Sequence, residues 1–468
     1  YFFSRITGVF KNIVLINVID SVIILDIFFF AYAPFQLFSS LVGSPVGLSF
    51  IGNSKVGNNK NAEKNYIKFI SKVGWVYAIL AFFAFVGIYF YNEYISNFIK
   101  FPFYTLVLVG LFCGYFQIKK TIFSSIAILY KYFNLDSFSI IILNFIFVSL
   151  LIVSNKYFEI NAIKNGFIFL SAIWIVGTVA SYLYVKNKYQ NNSLNNSIFT
   201  FDLVKIKSDS FWLSICSISF LTWAFIDKIF GQFLGLGYIT FFSISTMFYQ
   251  LLSSGIGGVY SSVYISVNKN NDIKKNESIY TYLFKVLAIS SICVSLLIIN
   301  RETLFYILSV DKIDKIEQPI KILLFNTYLL ASIGGSFAIF TYKLLATLGE
   351  SKFAAFISLC TIFINIITNI VLLHFLGPIA IPLGLIISQS IYFIIAFIRL
   401  HRTKSIYRTI DFSQMIKSII IPVTVLSFPF LVTSFIQNII LINVVFALVI
   451  LLLVKFIYGS IHSIFLYE

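Results

Sequence analysis

Charge is what this sequence has least of. Only 11% of its 468 residues are Asp, Glu, Lys or Arg, against about 25% in a soluble domain. So few charges cannot cover a water-facing surface, which excludes a soluble globular protein. Acidic residues are scarcest, 18 against 34 basic, for a net charge of +16. Cysteine is rare too: Cys113, Cys216, Cys293 and Cys360 lie far apart in apolar runs, with no CxxC. That spacing implies neither a disulfide nor a metal site. His374, His401 and His462 are scattered, with no HExxH. Nucleotide motifs are missing: the glycine run at 52–59 holds Asn58 where a phosphate-binding loop needs lysine. An ATP-driven pump on this chain alone is therefore not expected. No signal-peptide pattern opens the sequence. The chain starts at Tyr1 with a short first span, so a few native residues are expected to precede it.

What is present is apolar sequence, 59% of the chain. Runs such as 138–153, 357–373 and 439–454 approach the roughly 20 residues that a membrane span needs. Backbone groups in hydrocarbon must be satisfied within their own segment, so these runs are helices. The alternating short strands of a β-barrel are missing. The pattern predicts an all-α polytopic membrane protein of about fourteen transmembrane helices, bounded to within several residues. The boundaries fall near 1–19, 22–51, 66–91, 101–130, 136–154, 165–186, 204–230, 237–267, 278–299, 319–347, 352–374, 379–399, 413–435 and 439–462.

Basic residues occupy alternate loops: Lys55, Lys60, Lys64 and Lys68, then Lys131, then Lys186, Lys188, Lys205 and Lys207, then Lys269, Lys274 and Lys275, then Lys352, then Arg399, Arg402, Lys404 and Arg408. In the loop 300–318, Glu302, Asp311, Asp314 and Glu317 offset the bases. The positive-inside rule makes the basic set cytoplasmic, with both termini on that side. The charge thus reads as topology; nucleic acid is not an expected partner, whereas an anionic ligand fits. Asn191-Asn192-Ser193 and Asn195-Asn196-Ser197 match glycosylation acceptors but fall on the cytoplasmic side.

An internal repeat organises the chain. Phe35-Gln36-Leu37-Phe38-Ser39-Ser40, followed by Gly43, returns as Tyr249-Gln250-Leu251-Leu252-Ser253-Ser254, followed by Gly257. The same offset carries Lys55 to Lys269, Lys60 to Lys274, Glu63 to Glu277 and Tyr66 to Tyr280. A repeat of six helices preserves orientation. It predicts two parallel-related six-helix lobes around a central cleft whose exposure alternates as the lobes rock. The expected divisions are an N-terminal lobe at 1–186, a flexible cytoplasmic linker at 187–203, a C-terminal lobe at 204–400 and two additional helices at 401–468.

Ionisable residues within spans are costly and therefore candidates for function. Arg5 and Lys11 lie in the first span, Asp26 in the second, and Asp227 and Lys228 near the outer end of the seventh. Arg5 reads equally as a snorkelling anchor, and Asp227-Lys228 as an interfacial pair. Asn365 and Asn369, four apart, share one face of the eleventh helix. Their oxygens suit a hard cation, and they suit an interhelical hydrogen-bond pair as well.

Ser4-Arg5-Ile6-Thr7-Gly8, Asp26 through Tyr32 followed by Pro34, and Ile226-Asp227-Lys228 with Gly235-Leu236-Gly237 resemble signatures of the lipid II flippase family. So do Asn365 through Asn369 with Gly377-Pro378 and Gly384. That family lies within the multidrug/oligosaccharidyl-lipid/polysaccharide exporter superfamily. The resemblance covers most of 1–400. It implies a flippase, not an enzyme, moving an undecaprenyl-pyrophosphate-linked glycan across the bacterial cytoplasmic membrane. Arg5, Lys11, Asp26, Gln36 and Gln250 would meet the substrate, with Arg5 and Lys11 on the pyrophosphate. Asp227, Asn365 and Asn369 would form a Na⁺ site; Na⁺ or H⁺ would be the coupling ion, and no other cofactor is implied. The lipid bilayer and a polymerase and ligase of the same polysaccharide pathway would be partners of a monomer. One departure matters: the family carries arginines near Gln36 and Gln250, and here those stretches hold Gln, Ser, Leu and Phe. A less cationic cleft points to an O-antigen or capsule repeat unit. An ion-coupled multidrug exporter would need a substrate-facing carboxylate and no basic cluster. A membrane polysaccharide polymerase would need a long outer loop with catalytic residues, and 300–318 has only Arg301.

Overall fold

A computed structural model describes residues 2–32, 100–129, 135–158, 163–193, 199–261, 279–313, 315–347, 350–402, 422–429 and 439–458. It also describes short pieces at 45–46, 49, 54–56, 65, 68–80, 82–83, 86 and 420. Among these residues the chain is helical apart from turns and one pair of three-residue strands. The helices are α1 (Phe2–Val18), α2 (Val22–Tyr32), α3 (68–80), α4 (Lys100–Leu129), α5 (Leu135–Tyr157), α6 (Ile163–Ser193), α7 (Leu203–Leu234) and α8 (Tyr238–Leu252). They continue as α9 (Ile279–Ile299), α10 (Arg301–Ile307), α11 (Gln318–Thr347), α12 (Ser351–Leu376), α13 (Ala380–Arg402), α14 (422–429) and α15 (Ile439–Tyr458). Seven stretches among the described residues are long and apolar enough to cross a bilayer; the last, Ser351–Arg402, holds both α12 and α13. This is an all-α polytopic membrane protein.

Local chemistry sets the breaks. Asp202 caps α7: its carboxylate accepts from the backbone N–H groups of Val204 and Lys205 at 3.1 and 3.2 Å, filling donors the first turn leaves open. The turn from α7 to α8 needs glycine twice, with φ +118° at Gly235 and +91° at Gly237. Past Leu252 the helix widens into one π turn, Ser253–Gly257, and resumes at Gly258. The strands β1 (Ser54–Val56) and β2 (Phe199–Phe201) pair antiparallel, Lys55 opposite Thr200. The pairing brings residues 54–56 and 199–201 together.

Two findings depart from the sequence reading. The sixth helix runs to Ser193, so the first part of the expected flexible linker is helical. Adding a residue to a nucleated helix costs little, and the apolar span supplies the nucleus. The expected loop 300–318 contains the short helix α10 and a 3₁₀ turn at Val310–Lys312. Glu302 in the first turn of α10 suits the positive end of its dipole.

Packing contacts divide the chain into two compact units. Unit 1 is Tyr1–Ile244 with Lys312–Lys315 and Ser351–Ile362; unit 2 is the remainder. In unit 1, α6 packs on α4 and α5, and α5 on α1. Trp174 of α6 packs at a tilt against Phe28 and Tyr32 of α2, with ring centroids 5.7 and 5.2 Å away. Glycines permit close approach: the Tyr77 hydroxyl occupies the space where a side chain at Gly114 would begin, and donates to the Leu111 carbonyl at 3.0 Å. In unit 2, α11 packs on α9 and α13, and α15 on α9. Phe428 and Phe446 anchor α14 and α15 in a core with Ala288, Ile299, Val425 and Ile442. Asn300 and Asn443 exchange amide hydrogen bonds of 3.0 and 2.9 Å beside it.

The pattern of exposure is that of a protein solvated by lipid. Phe145, Phe363 and Ile440 are exposed, while Ser139, Ser290, Ser295 and Ser332 are buried. In α11, Thr327, Ser332 and Ser336 each donate to a carbonyl one turn back.

Candidate functional site

The expected site residues fall in both units. In unit 1, Arg5 lies on α1, its side chain outside the described set. Gln36 is likewise outside the described residues. Lys11, two turns along α1, is buried. Its ammonium sits 5.1 Å from the ring centre of Tyr32 and 5.2 Å from that of Phe147. Both rings offer the negative face of their quadrupole, which partly replaces the lost water. The amide of Asn144 donates to Thr7 at 3.0 Å, joining α5 to α1 one turn before Lys11.

Asp26 of α2 is fully buried, and its carboxylate is saturated with donors. It accepts from the backbone N–H of Gly237 and of Thr240, each at 2.8 Å, and from the Thr240 hydroxyl. Asp26 therefore caps α8 from another helix. The open N–H groups and positive dipole end of α8 take the place of a cation. Asp227 is fully buried as well, and the adjacent Lys228 turns to α2, donating to the Phe29 carbonyl at 2.8 Å. Adjacent helix positions point about 100° apart, which lets the two charged groups serve different neighbours. Lys228 and Asp26 thus tie α2 to α7 and to the start of α8 at two levels.

In unit 2 the expected site residues are neutral. Asn365 and Asn369 of α12 are fully buried. Asn369 donates to the Asn365 side-chain oxygen at 3.3 Å, and Asn365 donates to Ser388 of α13 at 3.5 Å. Gly384 makes the room, since a side chain there would begin where the Asn369 oxygen lies. Among the described residues, Asn369 Oδ1 and Gln389 Oε1 accept no hydrogen bond. Gln389 donates to the hydroxyl of Tyr249 on α8. Gln250 is half-buried beside it, and its backbone carbonyl accepts from Ser254 at 2.5 Å as the helix enters its π turn.

The structure thus joins Asn365 to Asn369 within unit 2 and places Asp227 in unit 1. The buried, unfilled Asn369 oxygen is a fitting ligand for a hard cation. Among the described residues no three His, Cys, Asp or Glu side chains gather as a metal cluster. Three partners escaped the sequence reading: Thr240, Tyr249 and Gln389. Thr240 had a signal, since it lies 214 residues after Asp26, the offset of the repeat. Gln389 had none.

No protein-family model matches the chain, and its sequence alone matches no curated protein. Solved structures match it closely in shape. The lipid II flippase MurJ, in an inward closed conformation, superposes with a TM-score of 0.73 at 17% identity, over 98% of this chain and 97% of that one. The fold is that of the multidrug/oligosaccharidyl-lipid/polysaccharide exporters. An inward-facing multidrug resistance transporter of the MATE family, in the same superfamily, gives 0.62 at 12% identity over 85% of this chain and 94% of its own. A superfamily transporter from Pyrococcus furiosus, whose binding pocket is described as reversed in polarity, gives 0.56 at 12% identity over 87% and 96%. The chain therefore shares its fold with these proteins.

Proposed function

We propose that this protein is a flippase for an undecaprenyl-pyrophosphate-linked oligosaccharide, such as an O-antigen or capsule repeat unit, in a bacterial cytoplasmic membrane. The observation that carries this reading is the span of the likeness. A match over 98% of the chain takes in the C-terminal helices, and it is to a lipid II flippase; the multidrug transporter covers 85%. Chemistry supports the same choice. Arg5 and Lys11 place two cations on α1, where a pyrophosphate needs them and a cationic drug does not. Arginine binds phosphate through paired hydrogen bonds.

Arg5→Ala should abolish complementation of a flippase-null strain while protein levels stay normal. Full complementation by that variant would make Arg5 an anchor and remove the pyrophosphate argument.

For the energy source, the reading assigns Na⁺ to Asp227, Asn365 and Asn369. One carboxylate and two amide oxygens suit a hard monovalent cation, with backbone carbonyls or water completing the shell. Asp227→Asn should abolish any sodium dependence of flipping in reconstituted vesicles. Sodium dependence that survives this change places the coupling elsewhere.

A further inference from the structure

Lys11 is held differently from Lys228 and Lys321. Those two buried lysines each donate to a backbone carbonyl, at 2.8 and 3.2 Å. Lys11 is 7% exposed, and among the described residues no carboxylate or carbonyl takes a hydrogen bond from it. Its ammonium lies instead 5.1 Å from the ring centre of Tyr32 and 5.2 Å from that of Phe147. Both distances are inside the roughly 6 Å reach of a cation–π contact. The two rings are themselves fixed. Phe28 of α2 touches both, its centroid 6.1 Å from Tyr32 and 6.1 Å from Phe147. Trp174 of α6 backs Tyr32 and Phe28, and Gly110 of α4 admits it: a Cβ at Gly110 would begin 3.0 Å from Trp174 Cη2. On the other side, Asn144 donates to Thr7 at 3.0 Å. Thr7 stands one turn before Lys11 on α1, and Asn144 one turn before Phe147 on α5, so this bond sets which face of α5 meets the lysine. All of these residues lie in unit 1.

An ammonium carries three donors, and a ring face offers them only weak acceptors. The lysine is therefore positioned without being paired to an anion. A buried charge in that state is costly, and within a membrane span it marks a functional position. A lysine stem is flexible and loses rotamer freedom when a ligand fixes it; two rings that hold the ammonium beforehand remove that cost from binding. We infer that Tyr32 and Phe147 are positioning residues, which clamp the Lys11 ammonium by their ring faces and hold it open to a phosphoryl oxygen of a lipid-linked diphosphate. The choice of ligand rests on the flippase reading; the clamp does not. Lys11 stands midway along α1, where a lipid-linked anion is already confined to the bilayer and a free one must leave water.

The test is a double-mutant cycle read on binding. Radiolabelled undecaprenyl pyrophosphate is titrated against the full chain in detergent micelles, and thermal unfolding of each variant is measured alongside. Lys11→Met should weaken binding by more than about tenfold, the scale of one charge-assisted hydrogen bond. Tyr32→Leu should weaken it about fivefold, the scale of one cation–π contact. Tyr32→Phe keeps the ring face and should stay near the parent value. In the Lys11→Met background, Tyr32→Leu should change nothing further, because its effect runs through the ammonium. Phe147→Leu should follow the same pattern; if that variant melts early, the half-buried Tyr32 alone decides. Equal weakening by Tyr32→Leu in both backgrounds, or none with Lys11 present, makes Tyr32 a packing residue. Either result overturns the clamp and leaves the flippase reading standing. Inorganic pyrophosphate and phosphatidylglycerol, added as competitors, separate the sources of phosphate. Neither should displace the labelled lipid as well as unlabelled undecaprenyl pyrophosphate does. Equal displacement by either one, with the cycle intact, upholds the clamp and counts against the flippase reading. A parent protein that binds none of the labelled lipid overturns both.

Discussion

Asp26 in unit 1 and Asn369 in unit 2 are both fully buried, yet their oxygens are used in opposite ways. The carboxylate of Asp26 takes three hydrogen bonds from two residues of one helix start. The amide oxygen of Asn369 faces the bare Cα of Gly384 and takes none among the described residues. The contrast extends to their neighbours. Lys228 donates to a backbone carbonyl and Lys11 lies over two aromatic faces, so these two charges have partners inside unit 1. In unit 2, Asn369 and Gln389 carry no charge, and their side-chain oxygens accept no hydrogen bond among the described residues. Burying a charge is tolerated only when it is compensated, which explains why the Asp26 carboxylate is saturated. A neutral amide is cheaper to leave part-filled, and it is there that a ligand could enter without breaking the fold.

The largest effect that would break this comparison is at Asp26. Asp26→Ala should lower the thermal stability of the detergent-solubilised protein by about 2–4 kcal/mol, since two N–H groups of α8 lose their acceptor in a dry site. Asn369→Ala should cost about 1 kcal/mol or less, in the range of hydrogen bonds between membrane helices. Equal losses in the two variants would mean that both units use buried polarity for stability alone.

How far these roles were legible in the sequence depends on the kind of signal. Helix bounds were legible where long apolar runs end at polar residues. The expected 352–374 and 278–299 agree with α12 at Ser351–Leu376 and α9 at Ile279–Ile299 to within two residues. The helical Asn/Ser stretch to Ser193 was not legible, because composition reports solvent preference and not whether a neighbouring span nucleates the helix. The π turn at Ser253–Gly257 was illegible too. Its cause is tertiary: a side chain at Gly257 would begin where the Ser336 carbonyl lies. Asp26 stood out as a costly intramembrane carboxylate, but its partners are backbone N–H groups, which every residue carries and no pattern singles out. Asn365 and Asn369 were readable as a pair because they stand one turn apart on a single helix. Gln389 was not, because its partner Tyr249 lies 140 residues away with no repeat to link them.

The smallest and sharpest effect lies in that last pair. Gln389 of α13 donates to Tyr249 of α8 in a fully buried setting, while its own oxygen stays unfilled. If unit 2 keeps its amides part-filled in order to bind, this bond contributes little to stability. A double-mutant cycle of Tyr249→Phe and Gln389→Leu should give a coupling of about 0.6 kcal/mol, and not above roughly 1.7, the span measured for hydrogen bonds between membrane helices. Thermal unfolding of the two single variants and the double variant reads it. Flipping should respond differently. Tyr249→Phe leaves both groups of the Gln389 amide unengaged beside Gly334, whose Cβ position is 3.5 Å from Gln389 Oε1. The flipping rate should then change more than the stability does. A coupling well above 2 kcal/mol with flipping unchanged would make Tyr249 and Gln389 fasteners like Asp26, and the contrast between the two units would fail at this point.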